Sequence, residues 1–212
     1  MIHSLFHSLE PEKQERIINA AMKEFAQRGY EKASTNQIVK EAQISKGSLF
    51  NYFRSKKDLY LYVIQCCLQI VEQIEKQIDE NETDIFRRIE KLAIKKLQIQ
   101  RKFPQVFDFL KSIVLEEAAE VKEEIQQTVD EIYAKGFQKL YQNIDYTKFR
   151  EEVDVQKAID ILTWTMFGFA DKMLQRLDTF EAVGEAGEQY LKEWKDYVQI
   201  LRSGFYKGEE ET

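Results

Sequence analysis

The 212-residue sequence predicts an all-α protein in two parts, a small N-terminal three-helix unit followed by a larger helical body. Three observations carry this. Apolar residues recur every three or four positions, and no segment alternates with the period of a half-buried strand. Helix-start signals crowd into residues 34–59. Only two prolines interrupt the chain, so the helices beyond that stretch are long.

The elements follow in order. Pro11 suits a first helical position, with Glu12 and Glu15 toward the positive end of the helix dipole. Ile17, Ala21 and Phe25 form a stripe at spacing four, and Gly29 supplies the left-handed residue expected to end this helix. Ser34 with Gln37 reads as a capping box for a short helix whose apolar side is Ile38, Val39 and Ala42. Gln43-Ile44 makes a turn, with Ile44 as the apolar plug. Ser45 caps the next short helix, in which Leu49 and Phe53 share one face. Ser55 and Asp58 repeat the capping pattern at the start of another helix. Two short helices joined by a tight turn, the second with small polar and basic residues outward, make a helix-turn-helix at about residues 34–54. In that motif the second helix is inserted into a DNA major groove.

Beyond it, Leu59, Val63, Cys67, Ile70, Ile74 and Ile78 predict one helix from about 55 to 80. Asn81–Asp84 breaks it, a second begins at Ile85, and Pro104 marks the next break. Residues 105–115 are apolar nearly all round, which predicts a central helix. Val121 to Leu140 predicts a further amphipathic helix ending near Asn143, and two more follow at about 154–178 and 185–206. Residues 1–9 read as a frayed terminus containing both histidines, His3 and His7.

Charge is divided unevenly. Residues 1–60 hold ten Lys/Arg against seven Asp/Glu, whereas residues 61–212 hold 21 against 30, within a net charge of −6. Positive potential therefore lies where phosphate would dock.

The run Ile17-Ile18-Asn19-Ala20-Ala21, with Phe25, Gly29-Tyr30, Thr35, Ile38, Ala42 and Ser45-Lys46-Gly47-Ser48-Leu49-Phe50-Asn51-Tyr52-Phe53, then Lys56 and Leu59, resembles the TetR/AcrR family of bacterial repressors. The resemblance covers roughly the first 60–65 residues. It implies a homodimer with a DNA-binding head, here residues 1–58, and an effector-binding and dimerising body, here residues 59–212. Two heads related by a two-fold axis would read an inverted repeat. Lys46 is the candidate base reader, since lysine donates to guanine O6 and N7. Ser48 and Asn51 reach base edges or phosphates, Gly47 permits close backbone approach, and Gln37 reaches adenine. Thr35, Tyr52 and Lys56 suit phosphates, which fix register without reading sequence. Ser45 joins this set, mainly as a cap. Gln43 stands where the family often has glycine, which costs about 1–2 kcal/mol if the turn is left-handed. Phe50 stands where the family often has tyrosine and brings no hydroxyl for a phosphate.

In the body, the resemblance implies an effector pocket lined by the middle helices. Candidates are Phe103, Phe107, Phe109, Leu110 and Ile113, together with Tyr133, Phe137, Tyr141, Trp164 and Phe167. Such residues build either a core or a lipophilic site. The acidic run Glu116, Glu117, Glu120, Glu123 and Glu124 is either a solvated face or an attractor of cationic compounds. For dimerisation the candidates are Phe169 and Met173 on one late helix, near Gly168 and Ala170, and Tyr190, Trp194, Tyr197, Leu201 and Phe205 on the last. The expected partners are thus a double-stranded DNA operator, a small-molecule effector and a second copy.

Other classes find little support. No zinc-protease, nucleophile-elbow or phosphate-loop motif occurs, so an enzyme is not expected, and neither is a cofactor or metal site. Cys66 and Cys67 are adjacent on one helix and point apart, as packing residues. No apolar run approaches a membrane span and the start lacks a leader pattern, which leads to an expected cytoplasmic location. A helical adaptor binding protein through its aromatic C-terminal face is the rival reading.

Overall fold

The computed structural model describes residues 3–176 and 183–208. The described residues form helices α1 (Ser4–His7), α2 (Pro11–Lys32), α3 (Thr35–Glu41), α4 (Lys46–Tyr52), α5 (Lys56–Glu75), α6 (Ile85–Lys102), α7 (Pro104–Val114), α8 (Lys122–Tyr141), α9 (Val155–Arg176) and α10 (Val183–Phe205), with a 3-10 turn at Tyr146–Lys148. The all-α class expected from periodicity holds. The expected helix over 55–80 stops at Glu75, and the stretch expected to reach 178 runs beyond the described residues.

The chain folds into two compact units. One comprises Met1–Glu72 with Phe103–Glu131, the other Gln73–Lys102 with Ile132–Thr212.

In the first unit, Ile17, Ala21, Phe25, Ile38, Ala42, Leu49 and Leu59 are sealed from solvent, which is why the spacing-four stripes form helices here. α7 packs along α2: Phe109 lies edge-on to Tyr60 at 5.7 Å, and Phe25 meets the same tyrosine at 4.7 Å. Two corrections arise in this unit. Residues 3–9 are not frayed: Phe6 of α1 is buried against Phe53 at 5.0 Å, and His3 Nε2 lies 3.0 Å from Asp58 Oδ1. Gly29 does not end α2 but kinks it at φ 68°, ψ 174°, after which one more turn follows.

In the second unit, Ile85, Phe86, Ile89, Leu140, Leu162, Phe169, Trp194 and Val198 share one core. Within it lies Arg88, 1 % exposed. Its guanidinium donates to the carbonyls of Leu140 (2.8 Å) and Gln142 (2.7 Å), where α8 ends, and to Glu80 and Glu82 before α6. A cation thus satisfies orphan carbonyls at a helix C-terminus. Asn143 follows at φ 59°, the left-handed residue that closes α8. Asp84 caps α6 through the amides of Phe86 and Arg87 and pairs with Arg202 at 3.1 Å.

Candidate nucleic-acid interface

Each short helix of the expected motif is locked by its own caps. Ser34 Oγ accepts the Gln37 amide, but the Ser34 amide is taken by Glu24 at 2.9 Å, so only half of the expected capping box forms. The Gln37 side chain is left exposed, with no protein partner among the described residues. α3 closes through a Schellman arrangement: Ile44 N–H donates to Val39 C=O at 3.0 Å and Gln43 N–H to Lys40 C=O at 3.3 Å. Gln43 has φ 55°, so this turn is left-handed, at a residue with a Cβ. Ser45 Oγ then accepts the Ser48 amide at 3.0 Å, and the two hydroxyls bond each other at 2.8 Å.

These contacts sort the expected DNA residues. Lys46, Gly47 and Asn51 are exposed, Thr35 is half-buried, and none of the four has a side-chain partner among the described residues. A Cβ at Gly47 would meet nothing closer than Ser45 Oγ at 3.8 Å, so the fold itself does not require glycine there. Ser45 and Ser48 are occupied with capping. Tyr52 packs its ring edge-on to Phe6 at 6.2 Å. Lys56 is engaged differently from the expectation: its ammonium donates to Glu31 C=O (3.0 Å) and Ala33 C=O (3.4 Å) and lies 4.7 Å over the Tyr30 ring. That cation closes the end of α2. Phe50 is 41 % exposed.

The segment after α7 belongs to the same unit, for reasons not foreseen from the acidic run. Glu116 Oε2 accepts the Tyr30 amide at 2.7 Å, at the Gly29 kink. Lys57 donates to Glu120 C=O at 2.6 Å and pairs with Glu124 at 2.5 Å, which holds the Glu124 carboxyl below its ordinary range. Burial pushes the Tyr30 hydroxyl above its ordinary value, with Glu120 adding to the effect. Several of these carboxylates are therefore neither a free solvated face nor the wall of a cation site.

The expected effector residues fall into two groups. Phe107, Phe109 and Ile113 are buried in the first unit. In the second, Tyr133, Phe137 and Tyr141 stack along α8 at 6.2 and 6.1 Å, and Phe167 closes on Tyr133 at 5.3 Å. Trp164 takes no part, being 68 % exposed. Val114 and Leu115 are also exposed, so 105–115 is not buried all round. A cavity of about 260 Å³ lined by Asp84, Arg87, Lys148, Arg202, Tyr206, Lys207 and Gly208 contains none of the expected set.

Among the expected dimer residues, Phe169, Met173 and Trp194 are buried within one chain: Phe169 contacts Tyr190 at 4.7 Å, Trp194 at 5.1 Å and Tyr197 at 5.5 Å. Leu201 and Phe205 are partly buried on the same core. The apolar surface that α9 and α10 leave open includes Tyr197 of the expected set, with Ile161, Trp164, Phe167 and Ile200. Cys67 is buried and Cys66 half-buried, and burial pushes both thiols up. Among the described residues there is no cluster of metal-ligating side chains and no helix long and apolar enough to cross a membrane.

Comparison with known proteins agrees with this geometry. Residues 17–63 match the family model of bacterial regulatory proteins, tetR family. The HTH-type transcriptional regulator YuxN of Bacillus subtilis is 47% identical over 53 residues, which is 25% of this chain and 18% of that protein. An HTH-type transcriptional regulator of Staphylococcus aureus is 41% identical over 70 residues, 33% of this chain and 38% of its own. The matched segment thus spans well under half of either relative. Solved structures are similar over nearly the whole fold. A TetR family transcriptional regulator from Chloroflexus aurantiacus superposes with a TM-score of 0.65 at 24% identity, covering 96% of this chain and 98% of that one. FadR from Bacillus subtilis, solved in complex with stearoyl-CoA, gives 0.53 at 19% identity over 90% and 98%. The proteins named are transcriptional regulators, and none is an enzyme.

Proposed function

We propose, on the premise that residues 17–63 belong to the tetR family of bacterial regulatory proteins, that this protein is a sequence-specific transcriptional repressor released from DNA by a small lipophilic effector. One observation carries the reading. The outer edge of α4 offers Lys46, Gly47 and Asn51 with no partner among the described residues, on a helix fixed by caps at both its own start and the end of α3. A backbone so held loses little freedom on meeting a groove, which leaves the ordering cost to the side chains alone.

Gln37 and Thr35 extend this edge from α3, and Ser45, Ser48, Tyr52 and Lys56 support it. A pair of such heads, in a homodimer, reads an inverted repeat with half-sites about one helical turn or a multiple apart. We place the second copy against Ile161, Trp164, Tyr197 and Ile200, the open apolar surface of α9 and α10. The functional division remains a head at residues 1–58 and an effector and dimer body at 59–212, with the protein acting in the cytoplasm. The aromatic ladder of α8 with Phe167 supports a lipophilic effector, and the stearoyl-CoA of a structural neighbour points the same way. Effector binding releases DNA when it favours a dimer whose recognition helices are wrongly spaced.

The test is selection of bound fragments from the source genome, followed by affinity against salt. The reading expects an inverted repeat and a Lys46→Ala variant weaker by at least about 1–3 kcal/mol per site. Weak, sequence-blind and steeply salt-dependent binding would overturn it in favour of a helical adaptor.

A further inference from the structure

The inward stripe of α6 changes character along its length. Ile85 and Ile89 belong to the core of the second unit, and Leu92 packs against it. One and two turns further on the same stripe stand Lys96 and Gln100. Gln100 is 5 % exposed and Lys96 half-buried, yet neither side chain has a hydrogen bond or ion pair among the described residues. Burial alone pushes the Lys96 ammonium below its ordinary value, with no carboxylate offsetting it. Their polar atoms keep some contact with solvent in a stretch that is otherwise largely enclosed, so water or a ligand is what can satisfy them.

The surroundings say what. Arg88 ties the start of α6 to the end of α8 through Leu140 C=O at 2.8 Å. From that contact α6 runs on through Leu92 and Ala93 while α8 runs back through Phe137, all three packed against one core. At 1.5 Å per residue, Lys96 lies about 12 Å along α6 from that contact and Tyr133 about 10 Å back along α8, similar distances on the two helices. Tyr133 carries the same signature as Lys96. Its hydroxyl has no partner among the described residues, burial pushes it up, and yet the residue is 46 % exposed. Lys96 and Tyr133 are thus both crowded by protein and still in reach of water.

We infer that Lys96, with Gln100 and Tyr133, is the polar end of the effector site and holds an anionic head group, a carboxylate or a phosphate, whose apolar tail lies on the α8 ladder. This rests on the lipophilic-effector reading above and narrows it to anionic amphiphiles. An ammonium donates three hydrogen bonds to oxygen, an amide two more and a phenol one, whereas a cationic ligand would face an uncompensated like charge.

The experiment uses the purified full chain and competition against an apolar fluorescent dye. Dodecanoate, dodecyl phosphate, dodecanol and dodecyltrimethylammonium are compared below their micelle concentrations. The two anions should bind at least about tenfold more tightly than the alcohol, and the cation least. Whichever anion binds better names the head group. Lys96→Met and Lys96→Gln should bring the anions to the level of the alcohol. An unchanged thermal melt by circular dichroism is the check that each variant is folded. Lys95→Met, one residue away on the exposed side, should change nothing. Equal binding of anion and alcohol by the wild type, tightest binding of the cation, or an anion preference that survives both Lys96 variants overturns the inference, with the lipophilic reading intact. Binding of none of the four overturns the lipophilic reading and this inference with it.

Discussion

Replacing Gln43 with glycine should stabilise the helix-turn-helix, although glycine is usually the less stable choice. Gln43 sits at φ 55°, where the Cβ of an L residue crowds the following carbonyl at about 1–2 kcal/mol. Glycine removes that crowding but adds freedom to the unfolded chain, worth about 0.4–1 kcal/mol in the other direction. The difference is about 0.5–1 kcal/mol in favour of Gln43→Gly. Nothing else is lost, because the two bonds that close the turn, from Ile44 N–H and Gln43 N–H, are backbone bonds, and the Gln43 side chain is exposed without a partner among the described residues. A molecule of two units need not unfold in one step, so the proper assay is native-state amide exchange read at α3 and α4. Protection there should rise about two- to fivefold in Gln43→Gly. In Gln43→Ala, which keeps the Cβ, it should stay within error. Faster exchange in Gln43→Gly would refute the reasoning, because it would mean that the side chain stabilises the turn by more than its strain costs. Asn143→Gly is the internal comparison: its φ is 59°, but asparagine already tolerates that region, so the gain there should be smaller.

Other positions give equally direct outcomes. Gly47→Ala should raise the stability of α4 by up to about 1 kcal/mol, since the site has room and alanine is the better helix former. Operator affinity in a mobility-shift titration should nevertheless fall, and unchanged affinity would remove Gly47 from the interface. Arg88→Met should cost at least about 3 kcal/mol in urea unfolding, as it orphans the buried carbonyl of Leu140 and the part-buried ones of Gln142 and Glu82. Arg88→Lys should recover only part, since an ammonium cannot span that set. Trp164→Ala should shift the protein toward monomer in sedimentation with stability nearly unchanged. Trp194→Ala should instead cost about 3–5 kcal/mol of folding, because Trp194 is 5 % exposed and Trp164 is 68 % exposed.

What could be read from sequence was whatever rests on local chemistry. Ser45 and Ser55 cap as expected, Pro104 opens α7 and Ile85 opens α6, whereas sequence alone left open the hand of the turn at Gln43, whose φ is 55°. Features that depend on partners far along the chain were not legible. Nothing near Phe6 announces that Phe53 and Tyr62 will bury it, and nothing near Arg88 announces the end of α8. Lys56 illustrates the point within the candidate interface. A lysine at an exposed helix start looks like a phosphate contact, but the carbonyls of Glu31 and Ala33, 25 and 23 residues away, claim it. The late aromatic residues show the complementary failure. Spacing says which side of a helix is apolar, not what covers it, so it places Trp164 in a pocket although that residue is exposed, and Trp194 at an interface although its own chain buries it.

The same logic explains why the acidic run at 116–124 was unreadable, and it can be tested. Gly29 takes φ 68° and ψ 174°, a conformation closed to other residues, and the break strips the Tyr30 amide of its place in the helix ladder. Glu116 Oε2 supplies the missing acceptor at 2.7 Å, 86 residues away. A Cβ on Gly29 would come within 3.3 Å of that same oxygen, so glycine serves both the backbone and the carboxylate's approach. Gly29→Ala should therefore cost about 1–3 kcal/mol from strain. Glu116→Ala should cost a similar amount by leaving a part-buried amide unpaired. If the two residues form one joint, the double variant should fall short of the sum by at least about 0.5 kcal/mol, since the first change already disrupts what the second removes. Strict additivity would mean that the kink stands without Glu116. The placing of residues 103–131 with the N-terminal unit would then rest on the packing of Phe109 and the Lys57 bonds alone.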